Sequence, residues 1–358
     1  MTDLEGLRQE IKTKDREIIG LIEERVETAR KIGAVKAREG KPIKNYHVEE
    51  QVLQRMKDLA GEHGLLDSTA ENITEILIQE AVRGQEKHRR NNADNSGDNY
   101  LVVGGEGKMG QWFQDYLRQG GAQVSTVDQG KTADYTTLPA LNDYDAILIT
   151  TPVHITPQII SELRQRSPDA TIADITSVKA PVEDELRAAK EAGLNVTSFH
   201  PMFDDTVKTL NGKNVIIASL GVHEADQRIK KLFANTAANI STIPFEEHDQ
   251  HIVYTLGLPH ISSLVFGSVL ENTDEAFDTY QSMGGQTFLK HGEAAREVFN
   301  ENPSVYHAIQ HYSEGNQALF DAVRDALDDV ESAAQQQVPA KMQSIMKRGY
   351  NYFNVSEK

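Results

Sequence analysis

YLVVGGEGKMGQWFQDYLRQG (residues 100–120) decides the fold of the middle of this chain. A short apolar run ends in glycines, and a stretch with helical spacing follows. Gly105, Gly107 and Gly110 stand in the G-x-G-x-x-G spacing, with Lys108 and Met109 completing the loop. The first glycine permits the tight turn, the second lets a pyrophosphate approach the backbone, and the third lets helix and strand pack closely. The helix start supplies free N–H groups and a positive dipole end, which suit a phosphate. Asp128 closes the next apolar run, VSTVD (124–128), at the place where a carboxylate takes the adenosine ribose hydroxyls. An acid there repels a 2′-phosphate, so the spacing favours NAD over NADP.

Working outward, further apolar runs lie at 123–127, 146–150 (AILIT), 171–175, 195–199 and 214–219, with helical patterns between most of them. Strand and helix in alternation predict a Rossmann-type, mostly parallel, doubly wound sheet over 99–245. From about 246 the strand signals stop. Segments 248–273, 275–299, 303–333 and 335–350 carry helical spacing, which predicts an all-helical substrate and dimerisation domain over 246–358. On the other side, RRNNADNSGDN (89–99) is polar and aperiodic, and the linker is placed at 91–98. Before it, Leu4, Leu7, Ile11, Ile18, Ile22, Ala29, Ile32 and Val35 recur at helical steps, so 3–37 reads as one helix. Gly40 and Pro42 break it. Two more helices, roughly 46–62 and 68–88, complete an all-α three-helix domain over 1–90. A helix as long as the first needs partner helices or a second copy of itself to cover its stripe.

The 358 residues suffice for two to three domains. There is no cysteine, which rules out disulfides and thiolate metal sites and fits a reducing cytoplasm. No apolar run approaches a membrane span in this reading, and the acidic start MTDLEGLRQE is unlike a secretory signal. A net charge of −17 repels nucleic acid. No H-E-x-x-H spacing occurs, so no hydrolytic metal site is expected. An anionic small substrate would need local clusters of Arg, Lys or His.

The segments VVGGEGKMG (102–110), TPVHIT (151–156), DITSVK (174–179), HPMF (200–203) and EHDQH (247–251) stand in the order and spacing of the prephenate dehydrogenase family, which the chain resembles over most of 99–320. The resemblance implies NAD-dependent oxidation of prephenate at its ring hydroxyl, with decarboxylation to 4-hydroxyphenylpyruvate. It implies His200 as the imidazole that takes the hydroxyl proton and Ser177 as a hydrogen-bonding partner near that hydroxyl. Lys179 becomes a cation for the nicotinamide side or a substrate carboxylate, and Thr151 and Pro152 the loop against which the cofactor lies. His248 and His260 match family positions, with His260 the substrate contact; His251 and His291 have no such support. Two departures stand out. HPMF is followed by Asp204 and Asp205, and Leu289 takes the place of an arginine that grips a prephenate carboxylate, with Lys290 beside it and Arg296 further on. A lysine offers a point charge where arginine offers a fork. Either Lys290 substitutes, or the carboxylate is held elsewhere, or the ring substituent differs, which keeps arogenate open as a substrate.

The pattern LRxxI…D…I…L…ER…IGxxK…PI…E, without gaps from Leu7 to Gln85, resembles the all-helical class of chorismate mutases. Their [3,3] rearrangement needs no nucleophile. The site must hold two carboxylates and stabilise negative charge on the breaking ether oxygen. The resemblance implies Arg8 and Arg25 as carboxylate ligands, Lys36 and Gln85 as the pair at the ether oxygen, Glu49 as the hydroxyl contact, and Asn45 where Asp is frequent. Val48 replaces a frequent arginine and Ala81 a hydroxyl residue. Helix geometry adds that Arg25 and Lys36 share a face, whereas Arg8 lies about 25 Å along the axis from Arg25 and about 100° away in direction. Arg8 would therefore serve a second protomer, which predicts a homodimer with exchanged residues. The leading reading is a fusion that makes prephenate from chorismate and then oxidises it. Two others stay open: a dehydrogenase with a catalytically idle helical module, and a dinucleotide-binding interaction protein. Neither nucleic acid nor membrane is an expected partner.

Overall fold

A computed structural model describes residues 4–91, 97–130, 132–313 and 315–354, the side chains of 90 and 91 excepted. The linker expected at 91–98 falls mostly outside the described residues. The chain divides into two compact units: Met1–Thr176 with Pro181–Phe245, and Ser177–Ala180 with Glu246–Lys358.

The first unit opens with α1 (Leu4–Arg38), α2 (Tyr46–Glu62) and α3 (Asp67–Asn91). Asn45 caps α2, its side chain accepting from Val48 N, as short polar side chains do at helix starts. Both α1 and α2 pack against α3. Ile43, Leu77, Ala81 and Val82 are buried there, but the apolar stripe of α1 is left open: Leu4, Ile11 and Ile18 are more than half exposed.

A seven-stranded sheet follows, built from β1 (Asn99–Val103), β2 (Gln123–Val127), β3 (Ala146–Ile149), β4 (Thr171–Asp174), β5 (Val196–Pro201), β6 (Asn214–Ser219) and β7 (Asn239–Pro244). Its order is β2-β1-β3-β4-β5-β6-β7, and every pair is parallel except β5–β6. The helices are α4 (Lys108–Gln119), α5 (Thr156–Arg166), α6 (Glu183–Glu191) and α7 (His223–Phe233). Alternation along each strand feeds two cores, one on each face. Leu101, Val103, Ile147 and Ile149 join Ile160, Leu163 and Leu186. Tyr100, Val102 and Leu148 join Phe113, Leu117 and Phe233. The sheet is thus doubly wound, as the sequence predicts. Strand β7 was not foreseen: it is an edge strand, its two half-buried isoleucines, Ile240 and Ile243, fall three residues apart, and it lacks the continuous apolar run of a buried strand.

In the second unit, α8 (Phe245–Ile252), a π turn (Val253–Gly257) and α9 (Leu258–Glu271) form one continuous helix. Pro259 has no N–H to continue the hydrogen-bond ladder, which accounts for the wider turn before it. Then come α10 (Phe277–Met283), α11 (Gln286–Asn300), α12 (Pro303–Tyr312), α13 (Asn316–Ala334) and α14 (Ala340–Asn354). The expectation that no stretch approaches a membrane span needs correction. Phe245–Glu271 is 27 residues long and, by length and composition, apolar enough to cross a membrane. Part of it meets protein: α9 packs on α11, the π turn meets α12 and α13, and Val253 and Ile261 share a core with Leu319, whereas Tyr254, Val265 and Val269 are exposed.

Candidate active sites

In the three-helix part, α1 and α3 bring Gln85 beside Gly33, one turn from Lys36, while Arg25 meets α3 at Leu77, two turns earlier. Gln85 is buried and lies on the backbone of Gly33, one turn of α1 before Lys36. Its Oε1 has no hydrogen-bond partner, and a buried unsatisfied carbonyl of this kind costs about 1–3 kcal/mol. Lys36 Nζ donates to the Ile43 carbonyl at 2.8 Å. Burial lowers the Lys36 pKa, Arg89 lowers it further, and Glu49 opposes both. Glu49 sits one turn into α2; burial raises its pKa, against the pull of Lys44 and Lys36. Arg25 donates to the Leu77 carbonyl at 3.2 Å, and burial, then Arg55, lowers its pKa. Arg25, near Arg55, and Lys36, near Arg89, are half-buried cations whose pKa values burial and the neighbouring charge depress, and such pairs suit an anion. Arg8 stands apart on the exposed part of α1, where it pairs with Glu5 at 3.7 Å. Asn45 is engaged as the cap of α2.

The sequence reading missed Arg89. It lies one turn beyond Gln85 on α3, its guanidinium donates to the Lys41 carbonyl, and its Nε is buried without a partner. The i, i+4 spacing from Gln85 was the available signal. Glu86, next to Gln85, was also missed. It is 1 % exposed and ties α3 to the sheet: Oε2 accepts from Thr209 Oγ1 at 2.6 Å and Leu210 N at 3.1 Å, and Oε1 accepts from Ala237 N at 2.7 Å.

At the sheet, Gly105, Gly107 and Gly110 connect β1 to α4. A side chain at Gly110 would overlap the Gly104 carbonyl, so only glycine lets the helix close on the loop. The cap residue Gly107 offers no side chain to the first N–H groups of α4, which include those of Lys108, Met109 and Gly110. They remain available to a pyrophosphate. Asp128 ends β2. Its Oδ2 accepts from Glu106 N at 2.9 Å and its Oδ1 from Gln129 N at 2.7 Å, leaving each oxygen a lone pair for a ribose hydroxyl. These residues fit a dinucleotide. Thr151 and Pro152 follow β3, and the Pro152 carbonyl accepts from Ile155 N and Thr156 N at the start of α5.

His200, 4 % exposed, is the fifth residue of β5. Because β1, β3, β4 and β5 are parallel, the glycine loop, Thr151 and His200 all lie at the same C-terminal edge of the sheet, where open α/β folds bind ligands. The two unexpected acids after HPMF have structural partners. Asp204 accepts from Thr206 N and Oγ1, and Asp205 pairs with Lys108 at 4.0 Å. Trp112 of α4 donates to the Val207 carbonyl and holds the same loop.

In the second unit, Ser177 is half-buried and Lys179 is 1 % exposed. Asp249, which the sequence reading quoted within EHDQH without assigning it a role, holds this segment: it accepts from Lys179 N at 2.8 and 2.9 Å, Ala180 N at 2.9 Å and His248 Nδ1 at 2.7 Å. Burial works to raise the Asp249 pKa, but these hydrogen bonds outweigh it and hold the pKa low. His248 is fully buried. His260 follows the π turn, stacks on Tyr306 at 4.0 Å, and leaves its Nδ1 buried without a partner. Burial lowers its pKa to about 4. Lys290 is exposed on α11, and Arg296 lies over the ring of Phe277 at 5.4 Å.

Residues 7–86 match the chorismate mutase type II family, and residues 118–238 match the nucleotide-binding domain of prephenate dehydrogenase. The T-protein of Enterobacter agglomerans is 25% identical over 320 residues, covering 89% of this chain and 85% of that protein. The T-protein of Haemophilus influenzae is 24% identical over 331 residues, covering 92% and 86%. Among solved structures, prephenate dehydrogenase from A. aeolicus, in complex with hydroxyphenyl propionate and NAD+, superposes with a TM-score of 0.56 at 18% identity, over 71% of this chain and 98% of that one.

Proposed function

We infer the division of labour within this chain from the premise that it joins a chorismate mutase of type II to an NAD-dependent prephenate dehydrogenase. It rearranges chorismate to prephenate and oxidises prephenate, with loss of carbon dioxide, to 4-hydroxyphenylpyruvate, a step of tyrosine biosynthesis.

For the rearrangement, Arg25 binds one carboxylate of chorismate. Lys36 and Gln85 donate to the ether oxygen as its bond breaks, and Glu49 takes the ring hydroxyl. The observation that carries this reading is the burial of Gln85 against α1 one turn from Lys36. Arg8 belongs to the site of a second protomer. It lies too far along α1 from Arg25 for one small ligand, and the open apolar stripe around it suits a second α1. We therefore read the enzyme as a homodimer, and its cysteine-free composition suits a reducing cytoplasm.

For the oxidation, the glycine loop and the start of α4 bind the pyrophosphate, and Asp128 binds the adenosine ribose. NAD+ held there would supply the acceptor for the hydride that leaves the ring carbinol. His200 takes the hydroxyl proton, Ser177 orients that hydroxyl, and Thr151 and Pro152 border the cofactor. Lys179 and His260 are assigned to the substrate. Lys290 is the nearest cation in sequence to the missing arginine at Leu289. Its exposure favours a second reading, in which arogenate replaces prephenate and the ring substituent is recognised by other groups.

Full-length protein assayed for both steps tests the assignment. Lys36→Ala should abolish prephenate formation and spare prephenate-dependent NAD+ reduction; His200→Asn should do the reverse. Both losses occurring together in either variant would sink the division. Comparing prephenate with arogenate in the wild type decides between the substrates.

A further inference from the structure

Thr132 and Ala133, which follow β2, are held by a carboxylate from the glycine loop. Glu106 is the residue between Gly105 and Gly107. Its Oε1 accepts from Thr132 N, from Thr132 Oγ1 at 2.6 Å and from Ala133 N at 3.0 Å. Its Oε2 lies so close to the backbone of Gly130 that any side chain there would overlap it. Its own N–H donates to Asp128 Oδ2 at 2.9 Å. Two successive backbone N–H groups and a hydroxyl converging on one oxygen form a ready-made anion nest, and this one is filled by an anion of the chain itself. The hydrogen bonds from Thr132 lower the Glu106 pKa, which keeps that anion charged.

The position of the nest gives it meaning. It lies on the same short loop as Asp128, the residue that takes the adenosine ribose. A nucleotide with a 2′-phosphate differs from one without it at that ribose. We propose that Glu106 is a specificity-determining residue of the dehydrogenase, which excludes 2′-phosphorylated dinucleotides by occupying the loop's anion nest with its own carboxylate. The inference rests on the reading of 105–128 as the dinucleotide site. Asp128 alone competes for the ribose hydroxyls. Glu106 adds a second negative charge and removes the donors that a phosphate would otherwise use, so discrimination comes from repulsion and from withheld partners together.

Direct binding calorimetry of the full-length protein with NAD+ and NADP+ tests this without relying on turnover. Glu106→Gln keeps a carbonyl for the nest and removes the charge. Glu106→Ala empties the nest. We expect NADP+ to bind about tenfold tighter to the Gln variant than to wild type, the size of one partly screened charge–charge term, and tighter again to the Ala variant. NAD+ affinity should change by less than about threefold, since uncharged ribose hydroxyls meet no repulsion there. Unchanged NADP+ affinity in both variants, or parallel weakening of both nucleotides, would overturn the proposal and leave Glu106 as a loop latch. Failure of the wild type to bind NAD+ would instead overturn the dinucleotide site, and this inference with it.

Discussion

Gln85 rests its side chain directly on the backbone of Gly33, so a glycine of α1 makes room for the amide assigned to the ether oxygen. A methyl group at position 33 would overlap Gln85 Cγ. Gly33 is also the one buried residue of α1. Gly33→Ala should displace Gln85 and cut the mutase kcat about 100-fold, the usual cost of moving a catalytic group by about 1 Å. Overpacking should cost about 1–3 kcal/mol of stability. Dehydrogenase turnover should be unchanged, and equal loss of both activities would show global damage instead.

Lys36 gives the mutase an alkaline limit. Burial lowers its pKa first, Arg89 next, against Glu49. The protonated form, which the role proposed for Lys36 at the ether oxygen requires, is therefore lost at a lower pH than for an ordinary lysine of pKa about 10.4. Mutase kcat should fall on the alkaline side as Lys36 deprotonates. Arg89→Gln removes the second cause only, so the limb should move up in pH by part of the shift. Lys36→Arg keeps its charge throughout and should lose the limb while turning over slowly. A pH–rate profile of the three proteins checks this; a limb that ignores Arg89 would contradict the electrostatic coupling.

Glu86 is the clamp between α3 and the sheet. Three donors, Thr209 Oγ1, Leu210 N and Ala237 N, depend on its two oxygens, and all lose their partner in Glu86→Ala. Hydrogen bonds to a charged group contribute about 1.5–3 kcal/mol each. We expect a loss of about 3 kcal/mol in thermal or urea unfolding, with the three helices unfolding ahead of the sheet. A single cooperative transition at the wild-type midpoint would remove Glu86 from that role.

The doubly wound sheet was legible because β1, β3 and β4 are short apolar runs buried on both faces, and the glycine spacing marked the turn into α4. The three N-terminal helices were legible from apolar periodicity. What escaped shares a cause. Strand β7 is half-exposed and lacks a continuous apolar run. Glu86, Glu106 and Asp249 act through partners 26 to 151 residues away, which local spacing does not encode, and Arg89, although one turn from Gln85, meets its Lys41 carbonyl only through the fold. The acids after HPMF looked out of place beside an anion site until the fold supplied Thr206 and Lys108 as their partners. The long helix Phe245–Glu271 hid its apolar length because Glu246, Glu247 and Asp249 interrupt its first turns.

His260 should make the protein acid-sensitive. Burial lowers its pKa to about 4, whereas an exposed histidine titrates near 6.5. The unfolded chain therefore binds a proton that the folded chain refuses between those values, and stability falls as pH drops through that window. The stabilisation is complete above about pH 6.5 and gone below about pH 4, and a gap of this size corresponds to roughly 3 kcal/mol. Over the same range the folded imidazole stays neutral, so the substrate contact proposed for it should persist while stability declines. His260→Gln cannot titrate and should flatten this part of the profile, whatever it costs in activity. Urea unfolding at intervals from pH 7 to pH 4.5 measures the slope. The same slope in wild type and variant would assign the acid sensitivity to other groups and would mean that His260 takes up its proton in the folded state.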